Sequence, residues 1–389
     1  MAGASLACAL DGAGYRIAMV EASPSDHDAP PGYDERVLAL AHGSRRIFDQ
    51  LGVWGALDAQ ATPIEHIHVS DRGRFGFTHL HAAEEGVAAM GYVTPARAIG
   101  QALLPRLPAI AGLEILRPAT VVSVLADEDG IDVGLITGEG RRTIRARLLV
   151  AADGVRSAVR ELSGIGADEH DYGHTALIAN LTPAQPHGNV AYERFTETGP
   201  LALLPMTEGR MSLVYTVHTP DAEEHLALND DEFLSRVQAR FGYRLGKLRR
   251  VGKRSAYPLV MTRAQSQTAT RTVLIGNAAH TLHPIGGQGF NLGLRDVATL
   301  AALLRGADVA DPGNAGLLAD YAARRGGDHD AIIRATDTLA KLFSNALPLI
   351  SHARDAAMLA IDLLPAPRRL LARHAMGLAA RVPTLRSPR

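Results

Sequence analysis

The residues richest in chemistry lie between Gly276 and Asp296, in the stretch GNAAHTLHPIGGQGFNLGLRD. Glycines stand at 276, 286, 287, 289 and 293, after an apolar strand-like run, RTVLI, and ahead of a helix predicted to start near Gly289 or Phe290. Glycines let backbone N–H groups approach a ligand closely, and a helix N-terminus favours partial negative charge. A planar ring with an electron-rich edge can rest on such an end. A loop that only turns the chain needs one or two glycines; five within 18 residues, with Pro284 and Asn291 at fixed offsets, exceed that need. His280 and His283, spaced i, i+3, invite a metal, but without a carboxylate or third histidine nearby they offer too few ligands, so no metal is expected. His280 reads as structural, whereas for His283 both ligand contact and simple packing stay open. No side chain stands out as a catalytic base.

A second constellation opens the chain, MAGASLACALDGAGYRIAMVEAS. A small-residue helix, Gly3 to Leu10, leads through a glycine turn at Gly12 and Gly14 into a strand, Arg16 to Val20, that ends on Glu21. This reads as the helix and second strand of a βαβ dinucleotide unit, in which a buried strand and a G-x-G-x-x loop stand before the helix. Here only Met1 precedes it. Such a strand lies in mid-sheet, and without it the neighbouring strands keep unpaired N–H and C=O groups, each costing roughly 1 to 3 kcal/mol if buried. The expectation is an in-frame extension of at least about ten residues before Met1, reading as an apolar strand and then G-x-G.

The elements that must position these groups follow from composition and pattern. With 389 residues, 47% of them hydrophobic, the chain can bury a full core, and its length favours two domains. A formal charge of −1 gives no field to attract nucleic acid, and none is expected as a partner. Cys8 is the only cysteine, which excludes an internal disulfide and fits a reducing compartment. No apolar run approaches the roughly 18 residues of a membrane span, so the protein is expected to be cytoplasmic. Strand-like runs RIAMVEA, RARLLVAAD and RTVLIGN, each followed by small or glycine residues, suggest a parallel α/β sheet. Between Tyr172 and about Pro258 the texture alternates, as in NVAYERFTE and RMSLVYTV, which suits an antiparallel sheet with one covered face. After Asp296 the pattern is helical, and from Arg368 onward there are six arginines and no acid.

Taken together in this order, the motifs resemble the class A FAD-dependent monooxygenases, whose second flavin motif has the form G-D-A-A-H, H-P, then G-Q-G-x-N-x-G-x-x-D. Residues 148 to 160, LLVAADGVRSAVR, are similar to the D-G motif of that class, with Asp153, Gly154, Ser157 and Arg160 in place. Gly3 falls at the third glycine of the G-x-G-x-x-G loop and Glu21 at the acidic residue that receives the adenosine ribose, 18 positions later. A finer resemblance is to the ubiquinone-biosynthesis hydroxylases. Its residues are Asp34, Arg36, Ala39 and Leu40 of D-x-R-x-x-A-L; Gly199 to Pro205 of G-P-L-A-L-L-P; Phe343 to Asn345 of F-S-N; and Ala375 to Gly377 of A-M-G. Asn277 departs from the broad class, which has aspartate there on the ribityl hydroxyls; an amide oxygen still accepts those bonds without charge. G-N-A-A with H-P-I-x-G-Q-G-F-N-L-G is the form of the 2-polyprenyl-6-methoxyphenol hydroxylase group.

The resemblance implies a fold, a chemistry and a site. The fold is a Rossmann-like FAD-binding domain lacking its first strand (1–60, 90–170 and 262–330), an inserted, mainly antiparallel β substrate domain (61–89 and 171–261) and a C-terminal helical region (331–389). The chemistry is insertion of one oxygen atom from O2 into a polyprenyl phenol through a flavin hydroperoxide, with electrons from NAD(P)H or a protein donor. The implied cofactor contacts are Gly3, Glu21, Arg36, Arg97, Asp153, Asn277, Pro284, Gly287, Gln288, Gly289 and Asn291, with Gly287 to Asn291 stabilising charge near flavin N1. For Arg36 a surface ion pair, and for Arg97 an exposed helix position, stay open. The basic tail, with Leu370, Leu371, Met376 and Leu378, reads either as a face meeting the inner membrane or a quinone-biosynthesis complex, or as a helix packed on the core. A flavin halogenase is excluded, because Trp54 is the only tryptophan and W-x-W-x-I-P needs two. A prenyl-group reductase lacks the G-P-L-A-L-L-P strand; a flavin-free subunit of a biosynthetic complex remains as the other class of reading.

Overall fold

The computed structural model describes residues 1–23, 36–307, 310–343, 348–379 and 383. Asp34, Ser344 and Asn345 of the expected motifs lie outside the described residues. The elements that position the site begin with α1 (Ala2–Ala9), β1 (Ile17–Val20), β2 (Val37–Ala41) and α2 (His42–Gln50). They continue with the hairpin β3 (His66–Asp71) and β4 (Phe77–His81), then β5 (Leu113–Leu116), β6 (Leu149–Ala151), β7 (Ala167–Pro183), β8 (Val190–Thr196), β9 (Gly199–Pro205) and β10 (Met211–His218). After α3 (Asp230–Phe241) come β11 (Ser255–Ala264) and β12 (Thr272–Leu274), and the chain turns helical through α4 (Gln288–Gly306), α5 (Ala315–Phe343), α6 (Pro348–Leu363) and α7 (Pro365–Ala375).

The parallel α/β part is present as two separate ladders. β1 pairs in parallel with β5, Ile17 opposite Leu113, and β6 pairs in parallel with β12, Leu149 opposite Thr272. Among the described residues no ladder joins β1 to β6. Ile17, Met19 and Val150 nevertheless pack on one core cluster with α1, α2 and α4, so the two ladders share their apolar face without sharing hydrogen bonds. This cluster is built where α1, a run of small residues buried from Ala4 to Ala9, lies against α4. A side chain longer than Ala on that face of α1 would separate the two helices.

The inserted part is a large sheet in the order β11-β7-β10-β9-β8-β3-β4, antiparallel except for β8 beside β3. Its alternation resolves the two faces. One carries Leu201, Leu203, Tyr215 and Val217 into a core closed by α3, and the other carries Val69 and Phe195 towards the glycine loop and α5. Residues 119–146, within the span expected for the FAD-binding domain, form an antiparallel meander of three strands.

In the tail most of the apolar positions pack on the core. Met376 is 1% exposed, and Leu371 and Leu378 pack with Leu80 and Met90 against the β3–β4 hairpin. Of the four apolar positions expected to form an outward face only Leu370, 60% exposed, points out. The A-M-G residues end α7 on α2. Met376 O accepts from Gly43 N–H at 2.9 Å, and Gly377, at φ +67, closes the helix with its own N–H on His374 O. No helix among the described residues is long and apolar enough to cross a membrane.

Candidate functional site

The glycine loop is held from below by one carboxylate. β12 runs into Gly276, whose φ of +58 turns the chain, and a Cβ on Gly293 of α4 would lie 3.0 Å from the Gly276 Cα, so the helix and the turn meet backbone to backbone. Asp296, fully buried one turn further along α4, accepts from Gly276 N–H at 3.0 Å, Arg325 Nε at 2.7 Å, His280 Nε2 at 2.9 Å and His329 Nε2 at 2.7 Å. Burial alone would raise its carboxyl; His329, Arg325 and His280 instead hold it well below the usual carboxylate range. The Gln267 amide donates to His329 Nδ1 at 2.9 Å, which leaves Nε2 as the donor of a neutral imidazole. His280, Asp296 and His329 bring ligand atoms within 4.8 Å of one another, yet a cation there would have to displace Arg325 from the same carboxylate oxygen. His283 goes the other way. It is 5% exposed, stands edge-on to Tyr172 with ring centroids 5.0 Å apart, and is lowered to about 4 by burial and by His174.

Above that keystone the loop opens α4. Pro284 precedes Gly286 and Gly287, at φ +66 and +61, and a Cβ on Gly287 would come within 3.1 Å of Ala39 Cβ on β2. Asn291, 1% exposed, ties the two together. Its Oδ1 accepts from Ala41 N–H at 2.8 Å, and its Nδ2 donates to Ala39 O at 2.9 Å and Gly287 O at 2.8 Å. Expected as a cofactor contact, Asn291 thus spends its side chain on backbone, fixing β2 beside the helix end. Gln288 is buried, with Nε2 on Gly286 O and an Oε1 that has no hydrogen-bond partner. A Cβ on Gly289 would meet nothing within 4 Å. Free space over the first N–H groups of a 19-residue helix is an anion- and dipole-binding end.

The other expected residues fall into two groups. Gly3, Asp153 and Asn277 converge at the N-terminus of α1, where a Cβ on Gly3 would touch Ala152 Cβ at 3.6 Å and one on Gly276 would touch Ala2 Cβ at 3.6 Å. Asp153 uses both oxygens within its own turn, on Ser157 Oγ at 2.5 Å and Val159 N–H at 3.1 Å, and Asn277 is exposed beside it. Arg36 and Arg97 are neighbours, because Ala96 N–H donates to Arg36 O at 2.9 Å. The Arg36 guanidinium lies 5.3 Å over the Tyr257 ring of β11 and Arg97 bonds Gln101 at 2.6 Å. Glu21 ends β1, its charge felt at the Met1 amino group of the α1 terminus, accepting from Ser23 N–H at 3.0 Å, with Arg117 at 3.9 Å.

One residue of the site had no signal in the sequence. Glu193 of β8, half-buried, lies on the sheet face with Val69 and Phe195; desolvation pushes its carboxyl up to about 7, and the nearby backbone N–H of Gly286 draws it back. It sits in an ordinary alternating strand, far from the loop in sequence, and only the pairing of β8 with β3 and β9 brings it there.

An elongated dinucleotide with a planar ring fits this order of groups, from Glu21 past the α1 terminus to the Gly286–Gly289 helix end, where Gly287 lets β2 approach closely and Gly289 leaves open space. A family model described as FAD binding domain matches residues 1–336. The chain belongs to this family. It is 38% identical over 379 residues to the ubiquinone hydroxylase UbiL of Rhodospirillum rubrum, covering 97% of this chain and 87% of that protein. It is 28% identical to the 3-demethoxyubiquinol 3-hydroxylase of Escherichia coli, covering 97% and 96%. Among solved structures, the p-nitrophenol 4-monooxygenase PnpA from Pseudomonas putida superposes with a TM-score of 0.79 at 19% identity over 98% of this chain and 96% of that one, a likeness of fold. FAD is the cofactor of this family, as the motifs led us to expect.

Proposed function

We propose that this protein is an FAD-dependent monooxygenase that inserts one oxygen atom from O2 into the ring of a polyprenyl phenol on the route to ubiquinone. The observation that carries the reading is the Gly286–Gly287 turn, left-handed at both residues, which points the open end of α4 towards the apolar face of the large sheet. The similarity to ubiquinone hydroxylases along nearly the whole chain supports the substrate class. When bound, FAD supplies the activation of oxygen, with NAD(P)H as reductant. The chain's own groups do the rest. The N–H groups from Gly287 to Gly289 receive developing negative charge. Gly3, Glu21, Arg36, Arg97, Asp153 and Asn277 hold the remainder of the cofactor, with Pro284 and Gln288 packed beside its ring. Phe195, Ile285 and Val69 keep the space between loop and sheet free of water.

A flavin-free subunit is the weaker reading, because the relatives named above are themselves hydroxylases. Collection of a long-tailed substrate belongs to the same proposal. Leu363, Leu364 and Leu370, exposed by 76%, 54% and 60%, stand next to exposed Arg369 and Arg373 as an apolar and basic patch for an anionic membrane surface. Quinone analysis of a deletion strain tests the function. We expect ubiquinone to be lost and a polyprenyl phenol one oxygen short to accumulate. Normal quinone levels without a paralogue would refute it.

A further inference from the structure

Glu193 is the one carboxyl that the large sheet directs at the glycine loop from within an apolar surround. Ala191 and Phe195, buried at 5% and 3% exposure, flank it on its own strand face, and Val69 of β3 and Ala202 of β9 are its register partners on either side. Its carboxyl lies near Gly286 N–H, two residues before the helix that receives the cofactor ring in the reading above. The charged and titratable groups on the surrounding elements are engaged or neutral. Asp71 of β3 is paired with Arg354, and Asp337 of α5 is bonded to Lys341 and Tyr172. His283 of the loop is held neutral, and Arg194, next along β8, points to the opposite face.

We propose that Glu193 is the base that takes the phenolic proton of the substrate. The O–H bond of the ring hydroxyl breaks, the proton forms a new O–H bond with the Glu193 carboxylate, and the electron pair stays on the phenolic oxygen, from which it enriches the ring positions ortho and para to it. The assignment rests on the hydroxylase reading. A carboxyl titrating near 7 is matched to proton transfer at neutral pH, whereas an ordinary glutamate is too weak a base. The nearby Gly286 N–H favours the charged form, and the strand face that Glu193 shares with Phe195 turns it towards the loop.

The test uses the FAD-loaded protein and its variants Glu193→Gln and Glu193→Asp. We expect Glu193→Gln to lower kcat/KM by about 10²- to 10⁴-fold and to abolish the acid limb of the pH profile near neutrality, with Glu193→Asp restoring that limb. The loss should shrink steadily as the phenol is replaced by more acidic ring-substituted phenols that arrive already ionised. A residue that merely held the loop would cut all phenols alike. Infrared difference spectra on binding a phenol to the oxidised protein give a readout without turnover: a protonated carboxyl band in the wild type, absent in Glu193→Gln. Wild-type levels of turnover and an unchanged pH profile in Glu193→Gln, or equal loss on all phenols with no carboxyl band, overturn the assignment. If the wild type turns over no phenol at all, the hydroxylase reading fails, and the infrared band still decides whether the proton moves.

Discussion

Asn291 commits its whole amide to backbone, and that makes it the residue whose loss the site should feel most. Replacing it by Ala leaves Ala41 N–H and the carbonyls of Ala39 and Gly287 buried without their partner. We expect Asn291→Ala to cost about 3 kcal/mol in denaturant unfolding and to weaken FAD binding by releasing β2 from the helix end. His68 and His283 set the acid response. Both are lowered to about 4, chiefly by burial, from an unfolded value near 6.5. Between those limits the unfolded chain binds protons that the folded chain refuses. The contribution of these two residues is therefore complete above pH 6.5 and falls as pH drops towards 4, by up to roughly 3 kcal/mol for each, and it outweighs the opposite contribution of Glu193, raised to about 7, which grows as pH falls from 7. A Tm series from pH 7.5 to 4.5 should show this fall, and His68→Gln should flatten it. At this scale the motif residues were legible, because cofactor loops depend on local spacing. What each side chain touches was not: Asn291 and Asp153 turned to backbone and turn, and Glu193 arrives only through strand pairing.

At the level of the element, the α4 terminus divides its glycines by what surrounds them. Gly287 has a left-handed backbone and a close neighbour in Ala39, whereas Gly289 is helical and faces open space. Gly287→Ala should destabilise by about 1 to 2 kcal/mol and impair FAD binding. Gly289→Ala should leave stability unchanged or raise it by up to about 1 kcal/mol, as thermal melts would report, while still obstructing the cofactor. The helices after Asp296 were readable from their period, and α4 begins at Gln288, within two residues of expectation. Period alone does not say which partner covers a face. For that reason Leu371, Met376 and Leu378, patterned like a membrane face, proved to be the contact with the β3–β4 hairpin.

Across the whole molecule the antiparallel insertion and parallel base were legible from the change in texture. The remaining outward patch, Leu363, Leu364 and Leu370, makes a specific test possible without cutting α7, whose end is pinned to α2. Changing these three leucines to Ser should reduce cosedimentation with vesicles containing anionic phospholipid and lower activity on a long-tailed phenol, while turnover of a short-tailed one stays near wild type. Equal loss on both would assign the patch to folding alone.

The separation of the β1–β5 and β6–β12 ladders also has a consequence for amide exchange. Ile17, Glu21 and Leu149 send their N–H groups to Gly112, to Leu116 of β5 and to Arg271 before β12, so the intervening amides of Ala18, Val20 and Val150 point to the sides that no ladder among the described residues covers. Those three should exchange with deuterium well before their alternating neighbours.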